Sequence, residues 1–202
     1  MFVHLKTKTI YSLLEGAIFA KALADRCNAF KMPAVGIADR ANLFGALEFS
    51  EVLSDNGIQP IIGCQLPINS KEVNLKQFSA TDQISMLFLA TNELGYRNLM
   101  ELSSKFFLND TYRFEGMSIR EIDKFSDGLI CLSGGDESPI NNLLKDNKIG
   151  EAENLLLHFK NTFGDRFYLE MNRHPLGENY SKKVNIEDNI LELADKQKLP
   201  LV

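Results

Sequence analysis

No run of about 18 apolar residues occurs in the sequence, so no segment reads as a membrane-spanning helix. The first residues lack the charged, apolar and small-residue succession of a secretory signal, and the chain is expected in the cytoplasm, away from membranes. Cysteine is scarce: Cys27, Cys64 and Cys131 are widely spaced among apolar neighbours, with no CxxC pair. That spacing excludes a zinc ribbon and a disulfide framework and predicts buried free thiols in a reducing compartment. A basic excess is lacking too. A net charge of −5 over 202 residues speaks against a strongly basic nucleic-acid clamp. No glycine-rich dinucleotide fingerprint follows the first strand. No internal repeat, low-complexity run or linker divides the chain, and its phenylalanines form no ladder for single-stranded DNA.

What remains is ordinary globular composition, 45% hydrophobic and 24% charged, expected as one domain over residues 1–202. Phe2–Lys6 alternates like a strand, and Gly16–Lys31 has apolar residues at helical spacing. Ala34–Ala38 reads as a strand buried on both faces. Asn42 is expected to cap a helix carrying Leu43, Phe44, Leu47 and Phe49. Asp55-Asn56-Gly57 stops that helix, and Gln59–Gln65 forms the next strand. Ser70–Asp82 reads as a polar surface excursion. Strands at Ile84–Ala90, Leu129–Leu132 and Arg166–Met171 follow, with helices at Gly95–Phe107, Pro139–Lys145, Gly150–Phe163 and Val184–Gln197. Asn109–Phe125 reads as loop plus a short helix opened by Ser118 and Glu121. About seven strands alternating with helices predict an α/β fold of parallel strands, a barrel in preference to an open sheet. The last strand starts at Leu199 and stops at Val202, so the sequence is expected to be a piece of a longer chain.

In such folds functional groups collect where strands end. Those positions hold Lys6, Lys8 and Glu15, then Asp39 and Arg40, then Gln65, Ser85, Gly134 and Gly135, and finally Asn172, Arg173 and His174. A lone loop histidine such as His174 is expected to be solvated, and His4 and His158 to be packing or surface residues. Lys6, Lys8 and Arg40 admit three readings: solvated surface charge, a site for a phosphate or DNA end, or an ion-paired cluster.

Several stretches closely resemble one family. They are Phe2-Val3-His4-Leu5, Tyr11–Ala17, Met32-Pro33-Ala34, Asp39 with Asn42–Ala46, Gly57–Cys64, Leu89–Asn92 with Gly95-Tyr96 and Asn98-Leu99, Gly128–Gly134, and Phe167–Glu170. In this order they resemble the polymerase and histidinol phosphatase (PHP) domains that open bacterial DNA polymerase III alpha subunits. The resemblance implies a distorted (βα)7 barrel of the PHP type, here truncated at its C-terminus. It implies a site where histidines, carboxylates and a cysteine hold two or three metal ions for phosphoester hydrolysis, a 3′–5′ exonuclease in polymerases. Carried over by position, the first histidine motif falls on Lys6 and Lys8, and an acidic ligand on Glu15. An Asp-His pair falls on Asp39-Arg40, a glutamate on Gln65, a histidine on Ser85 and the cysteine on Gly135. A final motif lies beyond Val202.

Lysine and arginine are permanent cations without a lone pair for a metal. The expectation is therefore a degenerate site with no catalytic residue, no cofactor and no metal, in which Glu15 and Asp39 pair with Lys6, Lys8 and Arg40. The family implies a scaffold joined to a polymerase core that uses Mg²⁺, in contact with DNA through that core and with a separate proofreading exonuclease subunit. The competing expectation is an active metal-dependent 3′–5′ exonuclease or phosphoesterase.

Overall fold

A computed structural model describes residues 2–75, 84–172 and 180–202. The chain enters as an extended segment laid along β1 (Ala34–Arg40), held by Thr7 N–H to Gly36 O and Ala38 N–H to Thr7 O. Gly36 permits this approach, because a Cβ there would sit 2.4 Å from Leu5 O. The expected first strand is thus mostly irregular, with Thr7 making a single parallel bridge to Ile37. The first helix, α1 (Ala20–Ala29), starts later than expected, since Ile18 is drawn into a bridge with Thr9.

α2 (Ala46–Asp55) also starts late, with Gly45 at its N-cap. Asn42 caps the turn before it: its Oδ1 accepts from Phe44 N–H, and its Nδ2 donates to Tyr11 O and Arg40 O. β2 (Gln59–Pro67) then pairs parallel to β1, Arg40 opposite Gln65. β3 (Ser85–Ala90) corrects the all-parallel expectation, for it runs antiparallel to β2. After the excursion that follows β2 the chain therefore turns back instead of crossing over. Part of that excursion, 76–83, lies outside the described residues.

α3 (Glu93–Leu108) runs back along β3. Two short helices, α4 (Asp110–Glu115) and α5 (Ile119–Lys124), return the chain, and β4 (Leu129–Leu132) is antiparallel to β3. α4 was not expected; the Asn109 side chain caps it. The Ser118 hydroxyl accepts from Glu121 N–H, as the capping spacing predicted. α6 (Pro139–Lys145), α7 (Ile149–Phe163), the two-residue β5 (Phe167–Tyr168) and α8 (Tyr180–Gln197) complete the order. β5 is parallel to β4, and Leu201 makes one bridge to Leu169. The result is an α/β fold with a five-stranded mixed sheet in sequence order.

Side chains alternate across this sheet and so sort into two populations. Val35 and Ile37, Cys64 and Leu66, Met86 and Phe88, Cys131, and Phe167 and Leu169 lie under helices in the two larger cores. Ala38, Leu87, Leu89 and Leu132 form a smaller core on the other face, joined by Leu5, Ile61, Ile130 and Tyr168. Burial pushes the Cys64 and Cys131 thiols far up, as expected of core thiols. Among the described residues no helix is long and apolar enough to cross a membrane.

Candidate functional site

Arg40, Gln65 and Ser85 continue the smaller core's face toward one end of the sheet. Arg40 is two residues past Ala38, and Ser85 two before Leu87, so strand parity aims all of them into one layer. Above the apolar Leu87 and Leu132 the layer becomes charged. The irregular entry segment brings Lys6 and Lys8 to it, and the tight turn Ser12–Gly16 brings Glu15.

The charges pair off closely. Lys8 Nζ lies 2.5 Å from Glu15 Oε2 and 3.3 Å from Glu137 Oε1. Arg40 Nη1 lies 3.2 Å from Glu15 Oε1 and 3.5 Å from Glu137 Oε2. Lys6 Nζ is 2.9 Å from Glu170 Oε1 and donates to Gly134 O at 3.2 Å. Glu137 Oε2 also accepts from Gln65 Nε2 at 2.7 Å and from the Ser85 hydroxyl at 2.8 Å. The three cations keep about a fifth of their side-chain area exposed, so the cluster is half-buried rather than sealed. Burial opposes ionisation of Glu137. The Ser85 hydroxyl and the charges of Lys8, Arg40 and Lys6 outweigh it and hold the carboxyl below the usual range.

Six of the predicted positions, Lys6, Lys8, Glu15, Arg40, Gln65 and Ser85, therefore meet in one cluster. Asp39 does not pair with the cations, which corrects the expectation. It faces the opposite side of β1, 3% exposed, where neutral donors hold it. Thr9 N–H and the Ser12 hydroxyl donate to Oδ1 at 2.8 and 2.6 Å, and the Thr9 hydroxyl donates to Oδ2 at 2.7 Å. Consecutive strand residues point to opposite faces, so Asp39 and Arg40 cannot both enter the layer.

Gly135 adds no side chain, and its φ is +61°. A Cβ there would lie 2.1 Å from Asn172 Nδ2. The counter-ions missing from the sequence reading are Glu137 and Glu170. Both had a signal. Glu137 ends the 3-10 turn Gly135–Glu137 directly after β4, and Glu170 has the parity of Tyr168 on the interior face. His174 and Arg173 lie outside the described residues.

As for metals, the donor set fits poorly. Ammonium and guanidinium groups present no lone pair, and each of the three carboxylates already faces one of them. Within this cluster, among the described residues, Gln65 Oε1 and Glu170 Oε2 are buried acceptors without a hydrogen-bond partner, fewer than the roughly four ligands of a zinc site or the roughly six to eight oxygens of a calcium site. No group of three or more His, Cys, Asp or Glu side chains that could hold a metal occurs among the described residues.

A family model described as PHP domain matches residues 4–174. The DNA polymerase III subunit alpha of Caulobacter vibrioides is 42% identical over 202 residues, which is 100% of this chain and 17% of that protein. The corresponding subunit of Rickettsia bellii is 35% identical over 202 residues, again the whole chain and 16% of the relative. That of Treponema pallidum is 35% identical over 204 residues, covering 17% of its length. The chain thus spans about a sixth of the length of these curated relatives.

Proposed function

The chain belongs to the PHP domain family, and from that premise we propose that it serves as the N-terminal domain of a replicative DNA polymerase alpha subunit, catalytically silent and free of metal. In this reading the parent chain extends primers in the cytoplasm with Mg²⁺ held by carboxylates of its polymerase core. The domain supports that core and docks a separate proofreading exonuclease subunit. Its sheet belongs to a (βα)7-type barrel. The entry segment beside β1 and the Lys6–Glu170 contact beyond β5 bring the first and last parts of the sheet within side-chain reach, which favours closure.

The observation that carries the reading is the pairing of Lys8 and Arg40 with both Glu15 and Glu137. In a site built for dications, these two cations take the place of the metal charge. They repel an entering metal and occupy the carboxylates it would need. Hydrolysis of a phosphoester by this family's chemistry needs bound water activated by a metal. Here Glu137 and Glu15 act instead as counter-ions to Lys8 and Arg40.

A nuclease assay tests this. The purified chain is incubated with single-stranded and primer-template DNA in added Mn²⁺ or Zn²⁺. No 3′–5′ degradation above a heat-killed control is expected. Degradation that tracks the domain through purification, and is lost on chelation, would restore the active-exonuclease reading.

A further inference from the structure

Phe44, Leu47, Met100, Phe107 and Leu108 leave a broad apolar face in water: their exposures are 68%, 71%, 40%, 42% and 87%. Of the residues expected on one helix, Leu47 lies on α2 while Phe44 lies in the turn before it, and both are exposed. The face is built rather than incidental. The rings of Phe44 and Phe107 stack with centroids 6.2 Å apart and planes 22° from parallel. Phe106, buried in the core, sets Phe107 edge-on at 5.3 Å. The Ser103 hydroxyl donates to Ala41 O at 2.8 Å, tying α3 to the turn after β1, and Asn42 pins the same turn to Tyr11 O and Arg40 O. The face therefore sits at the charged end of the sheet, and the backbone of Arg40 is part of its frame.

We infer that the polymerase portion of the same chain packs against this face; the inference rests on the parent reading proposed above. Two observations choose that occupant. The relatives extend about six times the length of this chain, so the remaining polymerase is present at high effective concentration. The face is also aromatic and aliphatic, with its rings already ordered, in the manner of a core cut in half. That is the composition of permanent contacts, not of partners that come and go.

Hydroxyl-radical footprinting of the full-length chain, read by mass spectrometry at single phenylalanines, tests the assignment. Phe19 and Phe30, 61% and 68% exposed beside α1, are internal references of the same chemistry. The expected result is oxidation of Phe44 and Phe107 several-fold slower than that of Phe19 and Phe30, with no other protein added and at every chain concentration. Equal oxidation of Phe44 and Phe30 in a chain that extends primers overturns the inference and leaves the parent reading intact. Protection that appears only with an added exonuclease subunit, or only as chain concentration rises, also overturns it, in favour of that subunit or of a second copy. Failure of the full-length chain to extend a primer overturns the parent reading and the inference with it.

Discussion

Asp39 and Arg40 are consecutive residues of β1, yet they serve separate networks. Arg40 reaches Glu15 and Glu137 on one face, while Asp39 is held by Thr9 and Ser12 on the other. The first network is half-buried and ionic; the second is buried and made of neutral donors.

The two should respond differently to salt. Arg40→Met is expected to lower stability by about 1–2 kcal/mol at low ionic strength, and the loss should shrink as salt is added. Asp39→Ala strands two hydroxyls and a backbone N–H and should cost about 2–4 kcal/mol, nearly independent of salt. Urea melts of both variants at two ionic strengths check this. Equal salt dependence would mean that Asp39 shares the cation cluster.

Glu137 is the residue most widely shared, touching Lys8, Arg40, Gln65 and Ser85. Its side chain is 38% exposed, so solvent screening discounts each contact. Glu137→Ala is expected to destabilise by about 1–2 kcal/mol. The double variant Lys8→Ala with Glu137→Ala should cost less than the sum of the single changes. Strict additivity would show that the pair is ornamental.

The pH dependence follows from the direction of the Glu137 shift. Its folded carboxyl titrates below the ordinary value of about 4.3, so the unfolded chain binds the proton first as pH falls. The stabilisation is full above that ordinary value and is lost as pH drops through the lower folded one. Glu121 and Glu153, held down chiefly by Lys124 and by Lys196, add to the same acid limb. Thermal melts between about pH 6 and pH 3 should show the wild-type losing more stability than Glu137→Gln. Parallel acid limbs would remove Glu137 from the account.

Gly135 offers a geometric check. Gly135→Cys restores the thiol the family resemblance places there, but it meets Asn172 Nδ2 and requires φ of +61° in a residue with a Cβ. A loss of about 1–3 kcal/mol is expected, with no gain in zinc affinity. Zinc-dependent stabilisation of the variant would mean that a metal site survives around it.

Much of this was legible in the residues. The alternation of apolar runs marked β1, β2, β3 and β4, and Asp55-Asn56-Gly57 marked the end of α2. Arg40, Gln65 and Ser85 were found because strand ends collect function. The direction of β3 was not legible, since periodicity carries no polarity and the excursion before it contains no turn motif that fixes a return. Asp39 was misassigned by reading adjacency in sequence as adjacency in space, although the period of a strand already forbade it. Glu137 and Glu170 lie outside the ligand positions that the family resemblance picks out, and counter-ions need only reach the charge.

The most direct test of the central claim, that lysine and arginine charges stand where this family holds metals, is the metal content of the chain. The protein is purified without chelators from cells grown with added zinc, manganese and iron, and its metals are counted by mass spectrometry against protein concentration. Substoichiometric metal, and a melting temperature unmoved by added Mn²⁺ or Zn²⁺, is the predicted result. One or more tightly bound ions per chain, removed by chelation with a fall in melting temperature, would contradict it.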